Sequence, residues 1–126
     1  MSVRRLLKSG RGATSRLSEV EVASALNRRA REGAFTLDER DRALASLEND
    51  FAALIVVEFT PEITTEAKAL LLRHRLRAGD AVQLASCLYL QRETSQPLPF
   101  VAFDRRLTDA ARHEGLSVVS VSSGRD

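Results

Sequence analysis

The stretch FVAFDRRLTDAARHEGLSVVSV, residues 100–121, reads as a strand, an acid, a helix, a glycine stop and a second strand. The apolar run 100–103 suits a strand, and 104–114 carries helical spacing that ends at Gly115. Residues 116–121 form a β-branched run before the polar tail 122–126. A helix between two strands implies parallel neighbours, because parallel pairs need a crossover connection.

The same alternation continues upstream. Residues 54–59 are short, β-branched and apolar, as expected of a strand buried on both faces. Thr60 then caps a helix with Pro61 at its first position. Ile63, Ala67, Leu70 and Leu71 share the apolar face of that helix, and Gly79 interrupts it. Asp80 begins a further helix with Ala81, Leu84, Ala85 and Leu88 on one side, running to a Ser/Pro-rich loop at 94–99. Nearer the start, 2–8 reads as the end of a helix stopped by Gly10 and Gly12, and 13–15 as a short strand. A helix over 17–31 stops at Gly33, with Ser18-x-x-Glu21 as a capping box. Thr36-x-x-Glu39 starts a second one, whose Leu37, Leu44, Leu47 and Phe51 share a face and which ends near Asp50. The class is α/β, with a mostly parallel sheet covered on both faces. Such sheets place their sites at the carboxyl ends of strands.

At 126 residues the chain suits one domain, expected over 1–121. A content of 44% hydrophobic and 29% charged residues excludes disorder, collagen-like sequence and solenoid arrays. No run approaches the ~18 apolar residues of a membrane span, and no signal peptide is visible, so a cytoplasmic location is expected. Cys87 is the single cysteine, which rules out an internal disulfide and a Cys-rich zinc site. The net charge is only +2, but 17 of the 19 basic residues are arginine. Arginine is the better bidentate partner of phosphate, so nucleic acid is permitted without being demanded.

Three acids stand where a parallel sheet carries chemistry. Glu21 lies just after the first visible strand, Asp80 at a helix start, and Asp104 directly after a strand. Singly, each is explained by the preference of acids for helix starts, where free N–H groups and the helix dipole favour them.

Their surroundings add a second reading. TSRLSEVEVASALNRR (14–29), LRAGDAVQLASCLYL (76–90) and the stretch 100–121 resemble, in order and spacing, three motifs of PIN domains. Within that family the chain is most similar to the toxin component of VapBC toxin–antitoxin systems. The resemblance implies a three-layer α/β fold and a metal-dependent endoribonuclease that hydrolyses RNA phosphodiester bonds under the control of a VapB-like antitoxin. It also implies a homodimer, and carries Glu21, Asp80 and Asp104 over as the carboxylates that hold Mg2+ or Mn2+. Mg2+ is a hard cation that prefers oxygen ligands and bridges to phosphate, so no histidine or cysteine is needed.

Glu19 competes with Glu21, but two residues apart on a helix they point about 200° from one another. The motif favours Glu21. Arg77 and Arg105, with Arg75 and Arg106, flank the acids and are candidates for RNA phosphate; ordinary surface charge explains them equally well. His74 reads as a surface or packing residue, Asp109 as a solvated one, and Cys87 as a small buried hydrophobe. Tyr89 and the five phenylalanines are not interleaved with basic residues as a stacking platform requires.

The chain departs from the family pattern in two places. Ala102 stands where many relatives carry Thr or Ser, and the first, central strand with its terminal Asp has no counterpart: the first acid in the chain is Glu19. Strands flanking that gap would stand about 9–10 Å apart with unpaired backbone groups between them. Three explanations are expected, in this order: a true start lying upstream, a degenerate relative, or a strand supplied by a partner. The alternative function is therefore a catalytically impaired PIN-like module that binds antitoxin without cleaving RNA.

Overall fold

A computed structural model describes residues 12–102 and 104–120. Its chain divides into two compact units, one running up to Glu58 and one starting at Phe59. The expected helix end at 2–8, Phe103 of the third strand and the tail 122–126 lie outside the described residues.

In the first unit, β1 (Ala13–Ser15) pairs in parallel with β2 (Ile55–Val57), placing Ala13 beside Ile55 and Ser15 beside Val57. Between them run α1 (Arg16–Arg31) and α2 (Leu37–Ala52). The start of α1 differs from the Ser18–Glu21 capping box that the spacing predicts. Ser15, the last residue of β1, is itself the cap, its Oγ accepting from the Leu17 N–H at 3.1 Å. Strand and helix are therefore contiguous, and Ser18 sits in the first turn with its Oγ accepting from the Thr14 hydroxyl at 2.8 Å.

The Thr36–Glu39 capping box is present in both directions, each partner satisfying an N–H that the helix start leaves unpaired. The apolar stripe of α2 is only partly used: Phe51 is buried, whereas Leu37 in the first turn is 60% exposed. In β2, Ile55 and Val57 are buried and Val56 half-buried; the predicted continuation to Phe59 fails, since that side chain is half exposed. No residue of α1 is fully buried.

The second unit holds α3 (Pro61–Arg73), α4 (Ala78–Thr94), β3 (Pro99–Ala102), α5 (Arg105–His113) and β4 (Ser117–Ser120). Thr60 caps α3 through its Oγ1, and Pro61 takes the first position as expected. That helix does not reach Gly79. It ends at Arg73, where His74 turns to extended backbone (φ −134°, ψ 151°), and Arg77 is extended again before α4. Gly79 thus lies inside the first turn of α4, where tertiary burial outweighs its poor helix propensity of about 1 kcal/mol.

The burial is extensive. Ala81, Leu84 and Ala85 are fully enclosed, and Val82, Ser86, Leu88, Leu90 and Thr94 are buried as well, so α4 is the central helix of this unit. Ile63, Ala67 and Leu70 of α3 are buried with them, each large side chain contributing about 1.5–3 kcal/mol; Leu71 is 41% exposed. Ser86 and Thr94 satisfy their hydroxyls on the carbonyls of Val82 and Leu90, which makes polar residues acceptable in an enclosed helix.

β3 and β4 pair in parallel, with Phe100 beside Val118 and Val101 beside Val119. Phe100 is buried, whereas Val101 and Val119 are 55% and 45% exposed, because side chains alternate between faces. Among the described residues, the face that carries Phe100 is buried and the face that carries Val101 and Val119 is partly exposed. Gly115 ends α5 at φ +90°, a left-handed conformation that favours glycine. The described strands form two separate parallel pairs, β1–β2 and β3–β4, rather than one continuous sheet.

Candidate active site

Asp80 and Asp104 stand at helix starts, whereas Glu21, expected in the first turn of its helix, is the sixth residue of α1 because that helix begins at Arg16. Asp104 follows β3 and is the N-cap of α5, its Oδ1 accepting from the Arg106 N–H at 2.7 Å. It is exposed, so its carboxylate is hydrated on the side that the cap does not use. Asp80 is half-buried in the first turn of α4, whose N-cap, Arg77, offers no side-chain bond to the free N–H groups there. Both belong to the second unit. Glu21 belongs to the first, exposed in α1. Among the described residues, no group of three or more His, Cys, Asp or Glu side chains is arranged to hold a metal ion.

The competition between Glu19 and Glu21 gains a physical term. The Arg16 guanidinium takes Glu19 at 3.0 Å, and also takes Glu58 through two bonds of 3.0 and 2.6 Å. This pairing holds the Glu58 carboxyl below its ordinary range. Glu19 is thus committed to a local ion pair.

Glu58 is a residue that the sequence reading missed. It directly follows β2, at the carboxyl end of a parallel strand, and is as well placed as the acids that were singled out. An acid closing an apolar, β-branched run was the available signal. Its use here is structural: with Arg16 and Glu19 it ties the ends of β1 and β2 together across 42 residues of sequence.

Arg77 and Arg105 are both exposed beside the acids. His74 is half-buried, with Nε2 at 2.7 Å from Glu114 Oε2 and its ring edge-on to His113 at 5.6 Å. Arg73 completes this group with two bonds to the same carboxylate, at 3.0 and 3.1 Å, and is the main cause of the lowered pKa of Glu114. Asp109 is exposed and lies 3.6 Å from Arg112. Cys87 is only partly buried, and desolvation pushes its thiol up to about 11, far from nucleophilic character.

Parallel strand pairs joined through helices, with Asp104 directly after β3, define an α/β protein. The chain belongs to the PIN domain family, which its residues 1–113 match. It is 36% identical over 105 residues to Ribonuclease VapC45 of Mycobacterium tuberculosis (strain CDC 1551 / Oshkosh) and to Ribonuclease VapC49 of Mycobacterium tuberculosis (strain ATCC 25618 / H37Rv). Each overlap takes in 83% of this chain and 71% of the relative.

Proposed function

We propose that this protein is a VapC-like endoribonuclease toxin that hydrolyses RNA phosphodiester bonds with Mg2+ or Mn2+ and is inhibited by a VapB-like antitoxin. The observation that carries the reading is family membership over most of the chain, joined to the identity with two ribonucleases. Action in the cytoplasm, as a homodimer, belongs to the same proposal. No helix among the described residues is long and apolar enough to cross a membrane.

The donor chemistry of Glu21, Asp80 and Asp104 fits a hard divalent cation, since each offers carboxylate oxygen and Asp104 spends only Oδ1 on its cap. When bound, such an ion supplies electrostatic stabilisation of charge developing on the phosphoryl oxygens. Within this proposal Asp80 and Asp104 would hold the ion from two helix starts, and Glu21 is carried over as a further ligand by the family motif alone. Arg77 and Arg105 hold the strand by its phosphates, as forked donors suited to that group.

The test is incubation of the full chain with single-stranded RNA. Cleavage is expected with Mg2+ or Mn2+, none with chelator, and none from Asp80→Asn; full activity in that variant sinks the assignment. A second reading is an antitoxin-binding module without catalysis. It takes the lead if the wild type cleaves nothing with either ion yet captures the antitoxin.

A further inference from the structure

An open cavity of about 380 Å³ lies within the second unit, beside the end of α3 and one face of α5. Arg73, His74 and Arg75 line it from one side, and Arg106, Asp109 and His113 from the other. Most of these groups are already committed. Arg73 and His74 are anchored on Glu114, and Asp109 is balanced by Arg112. The side chains of Arg75 and Arg106 make no hydrogen bond or ion pair among the described residues, although both belong to the lining of one concave surface.

Two uncommitted guanidinium groups at one cavity are an anion site in chemical terms. Forked N–H donors match the oxygens of a phosphate. The position also ties the cavity to the acids. Arg106 gives its backbone N–H to Asp104 while its side chain lines the cavity, and Arg75 lies two residues before the cap of α4, the helix that carries Asp80. The cavity's volume of about 380 Å³ accommodates a single phosphate with its sugar.

We propose that this cavity binds one phosphate of the RNA strand away from the scissile bond, held between Arg75 and Arg106; the proposal rests on the ribonuclease reading above. Of the four arginines that flank the acids in sequence, it places Arg75 and Arg106 together at one cavity, apart from Arg77 and Arg105. The cavity then positions the strand relative to the acids and takes no part in bond breaking.

The experiment is fluorescence anisotropy of a labelled single-stranded oligoribonucleotide with the full chain, in chelator so that cleavage does not intervene, across a salt series. Each phosphate contact on a single strand contributes about 0.7 to the slope of log affinity against log salt. The Arg75→Ala/Arg106→Ala double variant is therefore expected to lose about 0.7 of slope, so that a fourfold rise in salt weakens the wild type about 2.6-fold more than the variant. Both side chains are exposed, so the variant should fold. Arg75→Lys/Arg106→Lys keeps the slope, because the charges remain, but binds more weakly without the fork. Arg42→Ala, which removes an exposed pair with Asp38 on α2, leaves both quantities unchanged.

An unchanged slope in the double alanine variant, with metal-dependent cleavage intact in the wild type, overturns the cavity proposal and leaves the ribonuclease reading standing. A wild type that binds no RNA and cleaves none overturns both. If a polyglutamate peptide loses binding in the double variant while RNA does not, the cavity serves an acidic protein, and the proposal is wrong.

Discussion

Asp104 holds two assignments, helix cap and proposed metal ligand, and the two respond differently to substitution. Its Oδ1 accepts from the Arg106 N–H at 2.7 Å in an exposed setting, so removing the acceptor exposes that N–H to water rather than burying it. Replacement of a capping acid by Ala costs about 1 kcal/mol, within a range of roughly 0.5–2, whereas Asn keeps the acceptor and is nearly as good a cap. Loss of the charge at the helix N-terminus adds about 0.3–1 kcal/mol in either variant. Asp104→Ala should therefore fall below Asp104→Asn by about 1 kcal/mol, roughly 0.5 M in urea midpoint for a slope near 2 kcal/mol/M. Metal-dependent RNA cleavage should be lost equally in both. Urea denaturation followed by circular dichroism gives the first quantity and a cleavage assay the second. Equal stability of the two variants would refute the capping account, and full cleavage by Asp104→Asn would refute the ligand role.

Other expectations follow from burial and backbone geometry. Leu70→Ala, at a fully enclosed position, should cost about 2–5 kcal/mol, while Leu72→Ala, 90% exposed two residues on, should stay within about 0.5 kcal/mol; chemical denaturation of both checks this. Gly115→Ala should cost about 1 kcal/mol from backbone strain alone, since φ is +90° and an added Cβ meets nothing within 4 Å; thermal denaturation should show Gly115→Asn less affected. The carboxyl of Glu114 lies below its ordinary pKa of 4.5 because Arg73, and then His74, bond to it. Its contribution is whole above that ordinary value and is lost as pH falls through the folded pKa, so wild type and Glu114→Gln should converge in stability under acid and diverge at neutral pH. The Cys87 thiol, pushed up to about 11, should react only slowly with a thiol reagent at pH 8 and faster once the chain is unfolded.

The features legible in the sequence are those decided within a few residues. Thr36 with Glu39, Thr60 with Pro61, and Gly115 after α5 each act locally, and each appears where its spacing predicts. Features decided by distant partners were hidden. Ser15 ends one element and caps the next, so the motif starting at Ser18 looked like the better cap while the strand pairing that fixes Ser15 lay 42 residues away at Val57. Gly79 looked like a break because glycine propensity is local, yet α4 carries it where its other residues are enclosed. The real break, at His74, has no glycine or proline to mark it; the Glu114 contact that occupies this histidine lies 40 residues on.

The candidate site divides in the same way. Asp104 was readable because a helix start directly after a parallel strand is a position that sequence can locate, and Asp80 because it opens a helix of strong apolar spacing, although that helix follows α3 rather than a strand. The ion pair of Glu58 with Arg16 was not, since nothing in one strand announces the arginine at the end of its neighbour. The cavity arginines were visible as charges beside the acids, but which of the four lines a concave surface is a matter of packing.

In the proposed enzyme, Asp80 and Asp104, together with Glu21, are the ligands of the divalent ion that RNA cleavage requires. The most direct test is Mn2+ titration followed by the electron paramagnetic resonance of free Mn2+, on the full chain and on Asp80→Asn and Asp104→Asn, with circular dichroism confirming that both variants fold. Saturable binding by the wild type and its loss in each variant are expected. Unchanged Mn2+ binding in both folded variants would contradict the ligand assignment.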